Sequence, residues 1–391
     1  MKKCLSLLIT VTALMTSTGC FNRYNVERWN AEPVIKVLVA ENASTVNVSA
    51  NGSHTLSMKA GSTPVVGSGS WQVSGVASGL SVTLNGTEHL TSASLPLKFA
   101  PDERTTLTVN GTSYRGWLAV TPGSASGFNV INMLPLEQYL YGVVPREIPC
   151  SAEILSAVEA QAICARSYAI ARFGGHRKQG FDVYSDTRDQ AYGGIAVESR
   201  WGTEGVNRTR GIVAFSGDEL LDARYSSTCG GRTANSEDVW SSALPYLRSR
   251  RDKPLFGKIY CHESPYVDWT KEVPKQEFYS VLARSIPSGA RISSWSLDIN
   301  RKSKRVVKMI IKSDQGTHEI KGSVLRSAFG LRSTWFKIKE KQDVMVFEGH
   351  GWGHGVGMCQ YGAMGMAKLG KSAKQILRHY YKGVWTARLY K

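Results

Sequence analysis

Short apolar segments alternate with small polar residues through the first third of the chain. Between Pro33 and about Val120 these segments are separated by clusters of Gly, Ser, Asn and Thr, a pattern typical of β-strands joined by turns. They cover residues 34–40, 45–49, 80–84, 106–109 and 114–120. Asn-Gly pairs favour hairpin turns, and they occur at Asn51-Gly52, Asn85-Gly86 and Asn110-Gly111. The pattern predicts a β-rich amino-terminal part over residues 33–125.

Helical periodicity begins after this part. Apolar residues share one face of a helix over residues 151–172, with Ser151 as the N-cap and Gly174-Gly175 after the end. That face consists of Ile154, Val158, Ala162, Ala165 and Ala169. Further helices are predicted at 196–209, 275–284 and 372–381, and hairpins at 211–225 and 305–320. The sequence therefore predicts an α+β fold, in which a mixed α/β core over residues 126–391 contains an insertion around 246–335.

A glycine-rich stretch, residues 348–365, has the most unusual pattern in the chain. Glycine at positions 349, 351, 353, 355 and 357 opposes a helix, because each costs about 1 kcal/mol there relative to alanine. In an extended strand the intervening side chains share one face, and the glycines leave the other face open to close approach. The intervening residues are His350, Trp352, His354, Val356 and Met358. Two interpretations stay open: a strand packed beneath a neighbouring backbone, or a surface for a ligand.

The first twenty residues have the features of an export signal. Lys2 and Lys3 precede an apolar run over residues 5–15, which is too short to span a bilayer. The run ends in small residues closing with Gly19-Cys20, which resembles the end of a bacterial lipobox. Ser17 stands where a lipobox usually has Leu, so lipid anchoring through Cys20 stays open. We predict a signal over 1–20, a linker over 21–32, and a location in the periplasm or cell envelope.

The charge of the chain narrows the choice of partners. It has 48 basic and 31 acidic residues, and the net charge of +17 indicates an acidic partner. Nucleic acid, anionic lipid and acidic glycan all meet this requirement. Export argues against nucleic acid, and membrane contact is predicted only through an anchor at Cys20.

The cysteines outside the predicted signal are odd in number, so an oxidising compartment leaves at least one of them unpaired. They are Cys150, Cys164, Cys229, Cys261 and Cys359. Cys229 and Cys261 both lie in loop-like surroundings and are predicted to form a disulfide. Cys150 and Cys164 flank most of one predicted helix and are too far apart to bridge. No Cys-x-x-Cys pair occurs, and the glycines oppose a helical zinc pair of His350 and His354, so no metal is predicted.

Glu147 lies in a restricted segment, between Pro145 and Pro149 and just before the predicted helix. Proline fixes φ and restricts the residue before it, so the carboxylate has a defined position. Burial would raise its pKa, as a general acid requires, whereas Arg146 and the helix N-terminus would favour the anion. Glu147 is therefore either a catalytic acid or a carboxylate that serves only the helix dipole.

Four motifs together resemble the SpoIID/LytB family. They are LPLEQYL at 134–140 with EIP at 147–149, AQA at 160–162 with ARSYA at 165–169, GG at 230–231, and GWGHGVGM at 351–358 with QYGA at 360–363. The likeness extends from about Pro33 to Trp385, and the last motif is the most specific. Cys359 stands where family members commonly have Ser.

The resemblance implies a bacterial cell-wall protein whose characterised relatives are lytic transglycosylases. These enzymes cut peptidoglycan glycan strands stripped of stem peptides, and the resemblance places their catalytic acid at Glu147. Some members bind zinc through a His and two cysteines. His176 matches that His, but residues 183–189 contain no cysteine, so neither a metal nor another cofactor is predicted. We expect glycan contacts from the helix, from the 227–233 loop and from the glycine-rich stretch, namely from Arg166, Ser227, Thr228, Arg232, His354, Gln360 and Tyr361.

A single carboxylate is enough for this chemistry. The acid protonates the glycosidic oxygen and then, as a base, helps the 6-hydroxyl of MurNAc close on C1 to give a 1,6-anhydro end. Denuded strands have one lactyl carboxylate per disaccharide, which suits a chain of charge +17. Two alternatives stay open: a non-catalytic glycan-binding protein that enhances a cell-wall amidase, and a lysozyme-type hydrolase, which usually needs two carboxylates.

Overall fold

Strands dominate the amino-terminal part of the protein. The structure, a computed structural model, describes residues 29–58, 65–76, 79–90, 95–123, 127–240 and 242–391. The predicted signal, with Cys20, and most of the predicted linker lie outside these residues. The strands of this part are β1 (Val34–Ala43), β2 (Thr45–Ala50), β3 (His54–Ser57), β4 (Val65–Gly67), β5 (Ser70–Val76), β6 (Gly79–Leu84), β7 (Thr87–Leu90), β8 (Leu97–Pro101), β9 (Leu107–Val109), β10 (Thr112–Tyr114), β11 (Trp117–Pro122) and β12 (Phe128–Pro135).

Helices and strands mix in the rest of the chain. The helices are α1 (Leu136–Glu147), α2 (Leu155–Ala171), α3 (Arg200–Arg208), α4 (Lys275–Ala283), α5 (Gly322–Ala328), α6 (Gln360–Lys368) and α7 (Ala373–Tyr380). The strands are β13 (Val183–Tyr184), β14 (Ile212–Ser216), β15 (Glu219–Leu220), β16 (Tyr225–Ser226), β17 (Asp268–Pro274), β18 (Ile292–Ile299), β19 (Val306–Ser313), β20 (Gly316–Lys321), β21 (Phe336–Glu340), β22 (Val344–His350), β23 (Met358–Cys359) and β24 (Val384–Arg388). This composition confirms the predicted α+β, β-rich class.

Two sheets of the amino-terminal part contribute to one hydrophobic core. Their strand orders are β13-β1-β12-β11-β8-β3-β4 and β10-β9-β2-β5-β6-β7. Alternate side chains point inward, as Val46 and Val48 do from β2, because the side-chain period of a strand is two residues. The same core includes Val143 of α1 and Ala165 of α2. The β-rich part and the mixed α/β part therefore stabilise each other.

The Asn-Gly pairs have two different structural roles. Asn85-Gly86 and Asn110-Gly111 have positive φ at both residues and connect paired strands, β6 to β7 and β9 to β10, so these hairpins are confirmed. The prediction for Asn51-Gly52 is wrong, because β2 and β3 belong to different sheets. Asn51 instead accepts a hydrogen bond from the backbone of Thr106 at 2.8 Å.

The helices around Glu147 differ from the prediction. No helix was predicted over α1, which forms although Gly142 and Pro145 both disfavour a helix interior. Tertiary packing accounts for Gly142, since a Cβ there would lie 2.6 Å from the ring of Tyr192. α2 begins at Leu155 with Ile154 as its N-cap, so Ser151 does not cap it.

A second hydrophobic core forms within residues 268–350. It is built from the sheets β17-β22-β21 and β18-β19-β20 with α4 and α5. Its buried aromatic residues are Phe278, Phe329, Phe336 and Phe347. Tyr246, Leu247 and Cys261, which fall within the predicted insertion, belong instead to the main core. Within the described part of the chain, no helix is long and apolar enough to cross a bilayer.

A buried ion pair joins α1 to α2. Arg166 is 0% exposed, and its Nε and Nη2 atoms donate to the two carboxylate oxygens of Glu137 at 2.8 and 2.6 Å. Glu137 also accepts from the Gly211 backbone at 3.0 Å and from the Tyr390 hydroxyl at 2.7 Å. The expectation that Arg166 contacts glycan is therefore wrong, because Arg166 is buried and its guanidinium is paired with the Glu137 carboxylate in the core.

Replacing Arg166 by Met is expected to lower the free energy of unfolding by about 3–5 kcal/mol, because Glu137 would stay buried without its cation. Urea denaturation followed by circular dichroism measures the loss. The double variant Arg166→Met with Glu137→Leu should be less destabilised than Arg166→Met alone, since it leaves no unpaired charge.

The matched control is Arg188→Met, which breaks ion pairs with Asp186 and Glu41 in which all three side chains are 39–50% exposed. Exposed pairs contribute about 1 kcal/mol or less. Equal losses for the two single variants would contradict a special role for the buried pair.

Candidate active site

The glycine-rich stretch is not an extended strand. β22 ends at His350, and Gly351, Gly353, Gly355 and Gly357 then adopt φ values of 78°, 103°, 74° and 74°. This left-handed region strongly favours glycine. The predicted common face is therefore wrong: Trp352 is 39% exposed, whereas Val356 and Met358 are 0% exposed.

The glycines of this stretch face protein and leave little room for sugar. A Cβ at Gly351 would lie 2.5 Å from the Thr228 carbonyl oxygen, and one at Gly357 would lie 2.0 Å from that of Arg224. A Cβ at Gly355 would lie 1.9 Å from Nη2 of Arg305. Of the two interpretations left open by the sequence, close packing against a neighbouring backbone is the one observed.

Glu147 is the last residue of α1, and α2 begins only at Leu155. Glu147 therefore does not serve the N-terminal dipole of α2, which was one of the two interpretations left open. A helix C-terminus disfavours an anion. The carboxylate is half-buried and accepts one neutral hydrogen bond at each oxygen, from the Ala191 backbone at 3.1 Å and from Nε2 of Gln360 at 3.4 Å. Burial raises the pKa of Glu147 above its ordinary value, and these hydrogen bonds and Arg146 oppose the shift. Within the described residues it forms no ion pair.

A network of neutral side chains lies beside this carboxylate. Gln190 donates to the Tyr225 hydroxyl at 2.8 Å and accepts from the Tyr139 hydroxyl at 3.3 Å. Burial, with the charge of Glu147 among the further causes, raises the pKa of both tyrosines well above the ordinary value, so both stay protonated. The sequence analysis missed these residues, although Tyr139 is part of the first family motif.

The glycine-rich stretch and the loop after β16 come together next to Glu147. β16 and β23 pair in parallel through Tyr225 with Met358 and Ser226 with Cys359. The Tyr361 backbone donates to the Ser227 carbonyl at 3.1 Å. Gln360 is thereby held where its side chain reaches the carboxylate, and its contact with glycan stays a prediction.

The predicted contacts from the 227–233 loop differ in accessibility. Thr228 is 0% exposed, and its hydroxyl lies 2.6 Å from that of Ser264, so a direct glycan contact through Thr228 is contradicted. Ser227 and Arg232 are half-buried. Arg232 donates to the Ser249 hydroxyl at 3.4 Å.

His354 is engaged within the protein. Its Nδ1 atom accepts from the Val356 backbone at 3.0 Å, and the ring also hydrogen-bonds the backbone of Tyr225. Burial lowers the pKa of His354 to about 3, with Arg224 and Arg305 adding to the shift. The half-buried ring positions the stretch through its hydrogen bond with the Val356 backbone, and its contact with sugar stays a prediction.

Two exposed tryptophans lie in or beside the glycine-rich stretch, and one of them, Trp240, was not singled out from the sequence. Trp240 is 37% exposed and contacts the ring of His354 at 5.0 Å between centroids. The guanidinium of Arg224 lies 4.8 Å from the Trp240 ring, and that of Arg332 lies 5.2 Å from the Trp352 ring. Each is a cationic aromatic surface of the kind that suits an acidic sugar. Trp352 and Arg332 also line a cavity of about 350 Å³.

Cys229 and Cys261 are neighbours, as expected, but they are free thiols in this structure. Their sulfur atoms lie 3.8 Å apart, whereas a disulfide requires about 2.05 Å. The expected disulfide is therefore not formed. Cys359 also lies within reach of both sulfurs.

Comparison with known proteins identifies the class. Residues 124–215 match the model of the family described as SpoIID, Stage II sporulation protein, and residues 261–357 match a domain of unknown function. An uncharacterized protein of Brachyspira hyodysenteriae is 33% identical over 71% of this chain and 73% of its own length. Stage II sporulation protein D of Bacillus subtilis is 29% identical over 65% of this chain and 74% of its own length. The Amidase enhancer of Bacillus subtilis is 30% identical over 62% of this chain but only 39% of its own length. The chain belongs to the SpoIID family, as the four motifs predicted.

Gly357→Ala is expected to destabilise the protein by about 2–4 kcal/mol, because alanine meets both a positive φ of 74° and the Arg224 carbonyl. Gly370→Ala is the matched control. Gly370 has a φ of 71°, and a Cβ added there would have no other atom within 4 Å, so only the conformational cost of about 1–2 kcal/mol applies. Thermal and urea unfolding compare the two. If Gly357→Ala costs no more than Gly370→Ala, close packing is not what requires glycine there.

Glu147→Gln is expected to stabilise the fold more at about pH 7 than at about pH 4. A carboxyl with a raised folded pKa contributes stability below its ordinary value of 4.5 and loses that contribution as pH rises through the folded pKa. Glutamine does not titrate, so the difference in unfolding free energy between variant and wild type should grow with pH.

Glu263→Gln is the control, because its effect on the unfolding free energy should change with pH in the opposite direction. Its hydrogen bond with Lys368 lowers the pKa of Glu263, so this substitution should become less favourable as pH rises. Urea unfolding at a series of pH values tests both. A pH-independent effect of Glu147→Gln would contradict the raised pKa.

Proposed function

We propose that this protein is a lytic transglycosylase that cleaves denuded peptidoglycan strands between MurNAc and GlcNAc. The observation that carries the proposal is the state of Glu147, a half-buried carboxylate with a raised pKa and only neutral hydrogen-bond donors on its oxygens. Such a group can hold a proton and release it to a leaving oxygen, as general acid catalysis requires.

The reaction follows from one carboxyl group. Protonated Glu147 donates its proton to the glycosidic oxygen while the bond from C1 to that oxygen breaks. The resulting carboxylate then accepts the proton of the MurNAc 6-hydroxyl as its oxygen bonds to C1, which closes the 1,6-anhydro ring and restores the acid. The Ala191 N–H and the Gln360 amide stabilise the carboxylate between the two steps without neutralising it.

The surroundings favour this single-acid chemistry over hydrolysis. A hydrolase usually needs a second carboxylate at about 5–10 Å. Asp189, the other carboxylate near Tyr139, is already engaged. It accepts hydrogen bonds from the Tyr168 hydroxyl at 3.0 Å and the Tyr184 backbone at 2.9 Å, and it pairs with Arg172.

A cell-wall role is supported by the family and by the relatives' names. One relative is named for sporulation and another for enhancing an amidase, although this chain covers only 39% of the latter. That second name favours the alternative in which the protein binds glycan and stimulates an amidase without cutting. Both alternatives place the protein outside the cytoplasm, in agreement with the predicted export signal, and lipidation of Cys20 stays a prediction.

Denuded sacculi incubated with wild-type protein are expected to release fragments with 1,6-anhydro-MurNAc ends, detected by mass spectrometry. Glu147→Gln should reduce that release by about 100-fold or more, because the general acid is lost. It should still co-sediment with the sacculi. Glu263→Gln, which alters an exposed carboxylate paired with Lys368, is the matched control and should retain activity.

The other outcomes separate the alternatives. Reducing ends in place of anhydro ends would identify a hydrolase. Binding without cleavage by wild type, together with stimulation of an added amidase, would identify an enhancer. Equal anhydro products from wild type and Glu147→Gln would contradict the role of Glu147.

A further inference from the structure

Four buried donor groups outside the proposed catalytic chemistry converge at one point. They are the thiols of Cys229, Cys261 and Cys359 and the carboxylate of Asp252, and their ligand atoms all lie within 4.8 Å of one another. Cys229 follows β16, and Cys359 is the N-cap of α6. Asp252 and Cys261 lie in the segment before the second core. Three stretches distant in sequence therefore supply a single cluster.

The spacing fits a tetrahedral metal ion. A zinc ion with Zn–S bonds of about 2.3 Å holds its sulfur ligands about 3.8 Å apart. The Cys229 and Cys261 sulfurs are separated by 3.8 Å, and the Cys229 sulfur lies 3.1 Å from Oδ2 of Asp252. Thiolate and carboxylate ligands are both common for zinc, and four protein ligands make a closed structural site.

Neighbouring groups orient these donors as metal ligands are usually oriented. The Tyr380 hydroxyl donates to Oδ1 of Asp252 at 2.6 Å, which leaves Oδ2 facing the thiols. The Cys359 sulfur accepts from the backbones of Cys229 at 3.2 Å and Gly362 at 3.3 Å. Hydrogen bonds of this kind fix a ligand's direction and stabilise its anionic form.

A buried cation beside the cluster forms no ion pair with any residue that the structure describes. Arg305 is 0% exposed, and its Nε and Nη1 atoms have no hydrogen-bond partner among the described residues. Its Nη2 atom lies 3.4 Å from the Cys229 carbonyl oxygen. A buried unpaired guanidinium is costly. Three thiolates and a carboxylate around a divalent ion have a net charge of −2, which would offset that cost.

We propose that Cys229, Asp252, Cys261 and Cys359 bind one structural zinc ion. Cys261 precedes the second core in the chain, and Cys359 follows it. The ion therefore connects both ends of the second core to the loop after β16. Cys359 also immediately precedes Gln360, the partner of Glu147. His176 is not one of these four ligands, so the proposed site is distinct from the zinc site that the family resemblance suggests for some members. The proposal does not depend on the catalytic role of Glu147.

The competing state is a disulfide between Cys229 and Cys261, which an oxidising compartment favours. Full-length protein purified in reductant without chelators is expected to contain one zinc per chain by plasma mass spectrometry. X-ray absorption should report three sulfur ligands at about 2.3 Å and one oxygen at about 2.0–2.2 Å. Exchange for Co²⁺ should produce the visible and thiolate charge-transfer bands of a tetrahedral site.

Cys261→Ser is expected to lose most of the bound zinc, and Cys150→Ser is the matched control that should retain it, because Cys150 is half-buried outside the cluster. If Cys261→Ser does not fold, the wild-type absorption spectra and the Co²⁺ bands still decide the question. The proposal is overturned if the folded wild-type protein contains no metal and its three cluster cysteines titrate as free thiols. A Cys229–Cys261 disulfide in peptide mapping, or unchanged zinc in folded Cys261→Ser, would overturn it equally.

Discussion

The buried ion pair between Glu137 and Arg166 is the constraint from which the arrangement of the site follows. It holds α1 against α2, and through the Gly211 backbone and the Tyr390 hydroxyl it ties both helices to the residues just before β14 and just after β24. Glu147 lies at the other end of α1, so the pair sets where that carboxylate is placed. A charge pair buried this completely tolerates few alternative packings, because any displacement leaves a charge without its partner.

Close packing of the glycine-rich stretch provides the second half of the site. Its left-handed glycines let the backbone lie against residues 224–228, and this contact brings Gln360 to the carboxylate of Glu147. The residues of the family motifs therefore have two different roles. Most of them, including His354, hold the backbone in place, while few reach the surface where a glycan would bind.

Burial of Glu147 has a cost in stability. A carboxylate that is half-buried at a helix C-terminus, with no cation paired to it, costs folding free energy once it ionises. Packing in the surrounding core offsets that cost. The hydrogen-bonded side chains of Gln190 and Tyr225 keep the surroundings of Glu147 polar, but they are neutral and do not cancel its negative charge. Cys359, one member of the cysteine cluster, is the N-cap of α6 and immediately precedes Gln360.

Local patterns by themselves determined much of this protein. Alternation and Asn-Gly turns predicted the β-rich part, helical periodicity predicted most of α2, and the family motifs pointed to Glu147. Only the tertiary structure decided the rest, because burial and partners are not local properties. It turned Arg166 from an expected ligand contact into a core ion pair, formed α1 despite Pro145, and turned the glycines of the 351–357 segment toward protein. It also placed Cys359 and Asp252 next to Cys229 and Cys261, and nothing in the sequence pattern indicated those two additional neighbours.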